Sequence, residues 1–402
     1  MFKNKIKAVV FVVMVLILLG LIAKQSIDEL TINKFGHFVK GPKFKSQKGI
    51  FYHFRTNTAI LPDGRIVIFG NYSGGVNNLK YKTEIYDPKT NTLEVIDILP
   101  DKDWQYAGVN IGYNILIYTF KYPTKNTSEH ELCLYDIQKR KVVKEYGKIP
   151  LYPWAVLQNR YIVICNTRYS QEDKIYSNPV TAILILDTKT GEMHKLTEFY
   201  KQNSPDWVEP LDDKRVFVYY RFFSSYVVNI KTGDVKNVGN SLYSRVYPVL
   251  VKLNNSDILI LGGRSGSRSD FHLNCNTTAE IFDSKTLKFK PAGQMTMPRC
   301  SLFSSGFSAT LMNDGRVLIA GGHNYRNNYI FSFSGPKILK STEIYDPKTN
   351  TFTQSANLKI ARVKPHMILL KNGDIFVHNG YALPSENCYR KTTEIFKVNK
   401  RK

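Results

Sequence analysis

The sequence predicts an all-β fold, a β-propeller of seven blades, and three observations carry that prediction. Twelve residues recur almost unchanged, as KTEIYDPKTNTL at 82–93 and STEIYDPKTNTF at 341–352. Weaker copies of the same strand and turn recur at steps of about fifty residues. Each step holds four short strand signals, and four antiparallel strands per repeat make a propeller blade.

The period is read from a strand that ends in an aromatic residue and Asp. Its landmarks are Asp87, Asp136, Asp187, Asp283 and Asp346, with Asn229 filling one gap and Lys397 closing the series. The steps between them are 49, 51, 42, 54, 63 and 51 residues. A second strand signal precedes each landmark, as in GRIVIFG (64–70), SDILILGG (256–263) and GRVLIAGG (315–322). PDG, NDG and KNG mark tight turns between the first and second strands. DPKTNT turns the third strand into the fourth, with Asp and Pro setting the turn.

The glycine pairs Gly262-Gly263 and Gly321-Gly322, each followed by [TA]-E-I-[YF]-D, resemble the kelch repeat family. The resemblance spans roughly residues 43–400 and is strongest in units 1, 5, 6 and 7. Kelch repeats usually place a Trp in the fourth strand. Leu93, Phe289 and Phe352 stand there in this chain. Together with the N-terminal segment, the resemblance implies a bacterial-type, membrane-anchored member.

A propeller is a ring, so its last blade must join its first. The seventh unit stops short of a fourth strand. PKFKSQKGI (42–50) resembles LKFKPAGQM (287–295), so Phe44–Gly49 is expected to supply that strand. The propeller is accordingly expected over 43–402, after a linker at 25–42. Turns 1–2 and 3–4 share one face of such a disc, and loops 2–3 share the other with the joints between blades. The second set is long, and long loops on a rigid scaffold are where binding concentrates.

Residues 1–24 read as a membrane signal. Lys3, Lys5 and Lys7 precede sixteen uncharged residues, Ala8–Ala23. That length lies between a signal-peptide core and a spanning helix of about 20 residues. Leu21 is a poor residue at position −3 of a cleavage site ending at Ala23, so an uncleaved single-pass signal anchor is favoured over cleavage and secretion. The basic flank places the remainder outside the cytoplasm.

Net charge is +23. Such a field attracts anionic glycans, lipids and nucleic acid. The positive residues do not form one long run, so nucleic acid is not the expected partner. Cys133 and Cys165 fall in apolar strands, whereas Cys275, Cys300 and Cys388 fall in loops where one disulfide is possible. No CxxC, HxH, HExxH, GxSxG or phosphate-binding loop occurs, and no metal or cofactor is expected.

A site needs asymmetry among the units. Trp104, Trp154 and Trp207 occur at one repeat position, before the first strands of units 2, 3 and 4. Flat aromatic surfaces there would stack on sugars or peptide side chains, or else pack between blades. Arg55, Arg245, Arg299 and Arg362 are placed at the matching joints of units 1, 5, 6 and 7. They serve either as structural donors or as carboxylate binders. His366 opens the first strand of unit 7 and completes the candidate ligand-binding set. The repeated Glu84, Glu280, Glu343 and Glu394 read as structural, since the repeat demands them four times.

The expected function is therefore binding of a protein or an acidic glycan on the long-loop face of a membrane-anchored propeller, rather than catalysis. Some kelch-like propellers are copper-radical oxidases or sugar-acid isomerases. The copper set of a Cys-linked Tyr and a His pair does not assemble from this sequence. An isomerase using Arg, His and carboxylates at the pore stands as the alternative. A structural envelope component holding anionic polymers is a third reading.

Overall fold

Seven four-stranded antiparallel sheets succeed one another along the chain in the computed structural model. The structure describes residues 32–45, 58–69, 83–96, 105–111, 114–121, 129–149, 153–168, 180–200, 205–220, 224–265, 274–300, 306–324, 337–380 and 392–399, together with Met14. In blades 1 to 6 all four strands come from one stretch of chain. Blade 7 takes three strands from residues 366–398 and its fourth from Gly36–Lys40.

The repeated turn explains its own sequence. Asp87 and Asp346 accept the backbone N–H groups of Lys89 and Lys348 at 2.8 and 2.9 Å. Asn91 and Asn350 adopt left-handed backbone with φ of 55°, a conformation Asn tolerates better than most residues. Each Asn also accepts the hydroxyl of the aromatic before the Asp, Tyr86 at 3.1 Å and Tyr345 at 2.9 Å. Blade 5 changes both partners together: Phe282 lacks the hydroxyl, and Leu287 stands at the left-handed position.

The core is seven apolar clusters, one at each interface between neighbouring blades. Second strands are buried on both faces, as in Ile66–Ile68, Ile258–Leu261 and Val317–Ala320. Their side chains alternate between two interfaces. Ile66 and Ile68 face blade 7, while Val67 and Phe69 face blade 2. This is why second strands read as continuous apolar runs rather than as alternating ones. First strands of neighbouring blades touch one another and line the axis.

The closing strand differs from the expected Phe44–Gly49. Gly36–Lys40 pairs with Glu394–Val398, setting Phe38 opposite Phe396. Phe44 is instead buried in the interface of blades 7 and 1. The Lys45 N–H donates to Glu84 at 3.1 Å, as the Thr296 and Lys359 N–H groups donate to Glu343 and Glu394. Counted back from those donors, Phe38 matches Phe289 and Phe352. It is the fourth-strand aromatic of blade 7, and the PKFK likeness sets the register six residues late. Residues 46–49 lie outside the described residues. Residues 36–42 thus belong to the blade and its joint rather than to a linker.

Among the described residues no helix is long and apolar enough to cross a membrane. The apolar stretch Ala8–Ala23, apart from Met14, lies outside them.

Phe38 is 2% exposed, and its ring lies 4.9 Å from that of Phe396. Phe38→Ala is expected to cost about 3–5 kcal/mol in denaturant unfolding. A chain starting at residue 42 is expected to lose its cooperative thermal transition.

Candidate functional site

The long-loop face is organised by buried arginines. Arg245, Arg299 and Arg362 each precede the first strand of a blade and reach the glutamate of that blade's Glu-Ile pattern. Their guanidinium groups meet Glu280, Glu343 and Glu394 at 3.2, 2.9 and 3.1 Å, with side chains 0–1% exposed. Main-chain carbonyls accept further bonds: Gly262 and Thr278 from Arg245, Gly321 and Ser341 from Arg299, and Asn379 from Arg362. The far oxygens of the glutamates accept joint N–H groups from Leu242, Thr296 and Lys359. One ion pair therefore ties strand, loop and joint together in each of these blades. Burial pushes Arg245 and Arg299 down and Glu280 up, while the opposite charge at each pair works against the shift.

The glycine pairs make room for the neighbouring joint. At Gly321, φ is 74° and a Cβ would stand 2.4 Å from the Arg362 carbonyl. That carbonyl accepts the Gly322 N–H at 2.9 Å. A side chain at Gly321 would push the next joint out of place.

The arginine and tryptophan positions prove to be different places. Arg245 and Arg362 stand four residues before the first strand residues Val249 and His366, whereas Trp207 is itself the first residue of its strand. Trp154 is the second residue of strand Pro153–Leu157. Its side chain is outside the described residues, as is all of Trp104. Trp207 donates its Nε1–H to Glu209 at 3.1 Å and packs on the cluster between blades 4 and 5. Arg55 also lies outside the described residues. Ten positions separate it from Lys45, while Arg299 and Arg362 each follow their joint donor by three. Lys48 holds that spacing in unit 1.

His366 pairs across its sheet with His378, their rings 5.4 Å apart and 22° from parallel. His378 is fully buried and also meets Phe44 and Phe376 edge-on and stacked. Lys364, just before the strand, holds left-handed backbone and donates its N–H to the Gly306 carbonyl at 2.6 Å. Burial and the neighbouring Lys364 ammonium push His366 down to about 3, and burial pushes Lys364 down to about 8. Blade 7 thus brings a lysine and a histidine to the inner end of the long-loop face.

Blades 5 and 6 raise that face further. Their 2–3 loops carry small two-stranded ribbons, 264–265 with 274–275 and 323–324 with 337–338. A disulfide joins Cys275 to Cys300, and Cys300 exchanges backbone hydrogen bonds with His323. The bridge fixes a 2–3 loop to the joint of the next blade, and it places loops and joints on one face. The sequence holds the three loop cysteines but nothing that pairs them. Burial pushes His323 down to about 4. Neither Cys133 nor Cys165 is in a disulfide, and burial pushes the Cys165 thiol up. Among the described residues no three His, Cys, Asp or Glu side chains gather closely enough to hold a metal ion.

Residues 306–359 match the Kelch motif family. That stretch runs from the first strand of blade 6 into the joint with blade 7. No curated protein matches the chain. Among solved structures, a fungal alcohol oxidase of the AA5 family in complex with copper is similar in fold, with a TM-score of 0.61. The two are 15% identical, over 91% of this chain and 76% of the oxidase.

Two outcomes follow from this geometry. Arg299→Met or Glu343→Gln alone strands a buried charge or its partner and is expected to cost about 3–5 kcal/mol. The double variant should cost less than the sum in denaturant unfolding. His323 and His366 are neutral in the fold, while the unfolded chain protonates them near 6.5. The unfolded state binds more protons below that pH, so stability is full above it and declines from about 6.5 toward 4. Melting temperatures at pH 7, 6 and 5 should fall in that order, less steeply in His323→Gln.

Proposed function

We propose that this kelch-repeat β-propeller is a binding scaffold, held outside the cytoplasm by residues 8–23, whose long-loop face takes a glycan or protein partner. The asymmetry between the two faces carries the reading. One face is closed by short turns whose Asp side chains are committed to turn N–H groups. The other bears ribbons, a disulfide and the Lys364–His366 pair at its inner rim. Rigid blades below variable loops suit recognition. The Cys275–Cys300 bridge supports an oxidising compartment, since disulfides persist mainly outside the cytosol.

An acidic glycan fits the basic chain, with Lys364 offering a cation and Trp154 a flat ring on inner strands of the same ring. The catalytic alternative would recruit arginines at the pore. Arg245, Arg299 and Arg362 are each taken up by a glutamate and main-chain carbonyls, so no observation favours it.

A thermal-shift series on the whole chain with uronic-acid oligosaccharides tests the reading. A ligand at one hundred times its dissociation constant adds about 2.7 kcal/mol. The shift should vanish in Trp154→Ala or Lys364→Gln and survive Lys89→Gln with Lys348→Gln on the turn face. The reverse pattern would put binding on the wrong face. No shift with any sugar leaves the protein partner, to be sought by cross-linking from the loop face. Cross-links confined to the turns would contradict the scaffold reading.

A further inference from the structure

Closing the ring gathers positive charge that the sequence keeps far apart. Residues 32–57 and 359–402 hold 16 basic and three acidic residues, a net +13 of the chain's +23. Residues 97–220, which carry blades 2 and 3 and the inner half of blade 4, hold 16 of each and are neutral. In the linear sequence the basic stretches stand some three hundred positions apart. The pairing of Gly36–Lys40 with Glu394–Val398 puts the described parts of these stretches, with Lys34, Lys40, Lys43, Lys45 and Lys397 among their charges, in one blade and its joint, across the ring from the neutral arc.

Among the described residues of that blade, both acids are occupied. Glu394 is 1% exposed against Arg362, and Asp374 holds Lys397 at 2.8 Å. The described lysines along the closing strand are outward: Lys34, Lys40, Lys43 and Lys45 are all exposed, with exposed His37 between them. Asn399 donates to the Asn33 carbonyl at 2.8 Å, and Lys400, Arg401 and Lys402 are the next residues in sequence. Gly36–Lys40 is also the outermost strand of its sheet, with one edge unpaired in its blade.

We propose that this basic edge of blade 7 docks on anionic phospholipid headgroups of the membrane that residues 8–23 enter. The proposal rests on the anchoring reading above. Two observations select lipid over other polyanions. Among the described residues the closing strand is the first strand after the apolar segment, and twelve residues lie between Ala23 and Gly36. They span at most about 45 Å, so the edge stays within reach of the bilayer surface. The charge is also spread along one rim rather than set in a groove that would follow a nucleic-acid backbone. Docked on this edge, the disc would stand on its rim, leaving the long-loop face open sideways to a partner. Juxtamembrane basic residues gain binding in this way, by about fivefold each.

The test uses the full chain in nanodiscs of phosphatidylcholine alone or with phosphatidylglycerol, read by amide hydrogen exchange over residues 34–45. Exchange there should slow at least about fivefold in the anionic discs, the worth of one basic residue. The slowing should disappear at high salt and in a variant with Lys34, Lys40, Lys43 and Lys45 all changed to Gln. A melting temperature equal to the parent's verifies that this variant folds. Equal exchange in both discs overturns the proposal, as does slowing by duplex DNA without slowing by anionic discs. Loss of the chain from neutral discs would defeat the anchoring reading instead. Protection of 34–45 on anionic discs would then still uphold the docking edge.

Discussion

Every sheet in this molecule buries both of its faces against neighbours, so the stability of each blade depends on closing the ring. With one interface open, the second strands on either side would show a row of Ile, Leu and Val to water. Residues such as Ile66, Ile68 and Phe376 are 0% exposed only because blades 7 and 1 meet. The closing pair of strands, Gly36–Lys40 and Glu394–Val398, is therefore the contact on which the other six interfaces rely. It also has the longest sequence separation in the fold, so its loop-closure cost is met last and rewarded all at once.

The arginine–glutamate pairs act on a second level. Apolar packing sets the distance between blades but says little about their rotation. A guanidinium fork bound to a carboxylate and to main-chain carbonyl oxygen fixes both. Blades 5, 6 and 7 carry the complete device. Blade 1 keeps the glutamate and the joint N–H, with Lys48 at the arginine's spacing. Blades 2, 3 and 4 lack the repeat's Glu, and blades 2 and 3 use longer strands, such as Tyr161–Arg168 with Val180–Asp187. The ring thus divides into an arc locked by buried charge and an arc held by extended sheet.

Much of this was legible in the sequence because the turns repeat. Asp87, Asp346 and their partners Asn91 and Asn350 recur for a local reason, a capped turn with one left-handed residue, and local reasons survive in sequence. The closing strand was harder to read. PKFK at 42–45 looks like LKFK at 287–290, yet what fixes register is a long-range bond, Lys45 N–H to Glu84, that no local pattern reveals. The same holds at the site. Arg and Trp shared a loose spacing, but a stretch of joint separates each arginine from the first strand, in which Trp154 and Trp207 lie. The Cys275–Cys300 bridge joins two different blades' loops, so only the folded ring brings the thiols together.

The closing register is open to direct measurement. His37 lies opposite Lys397 in the pairing of the two strands. Cysteines placed at these two positions should cross-link under mild oxidation and raise the melting temperature of the whole ring. Cysteines at Lys43 and Lys397, which a register six residues later would set opposite one another, should not cross-link. Efficient bridging of 43 to 397, with none between 37 and 397, would contradict the closure described for this propeller.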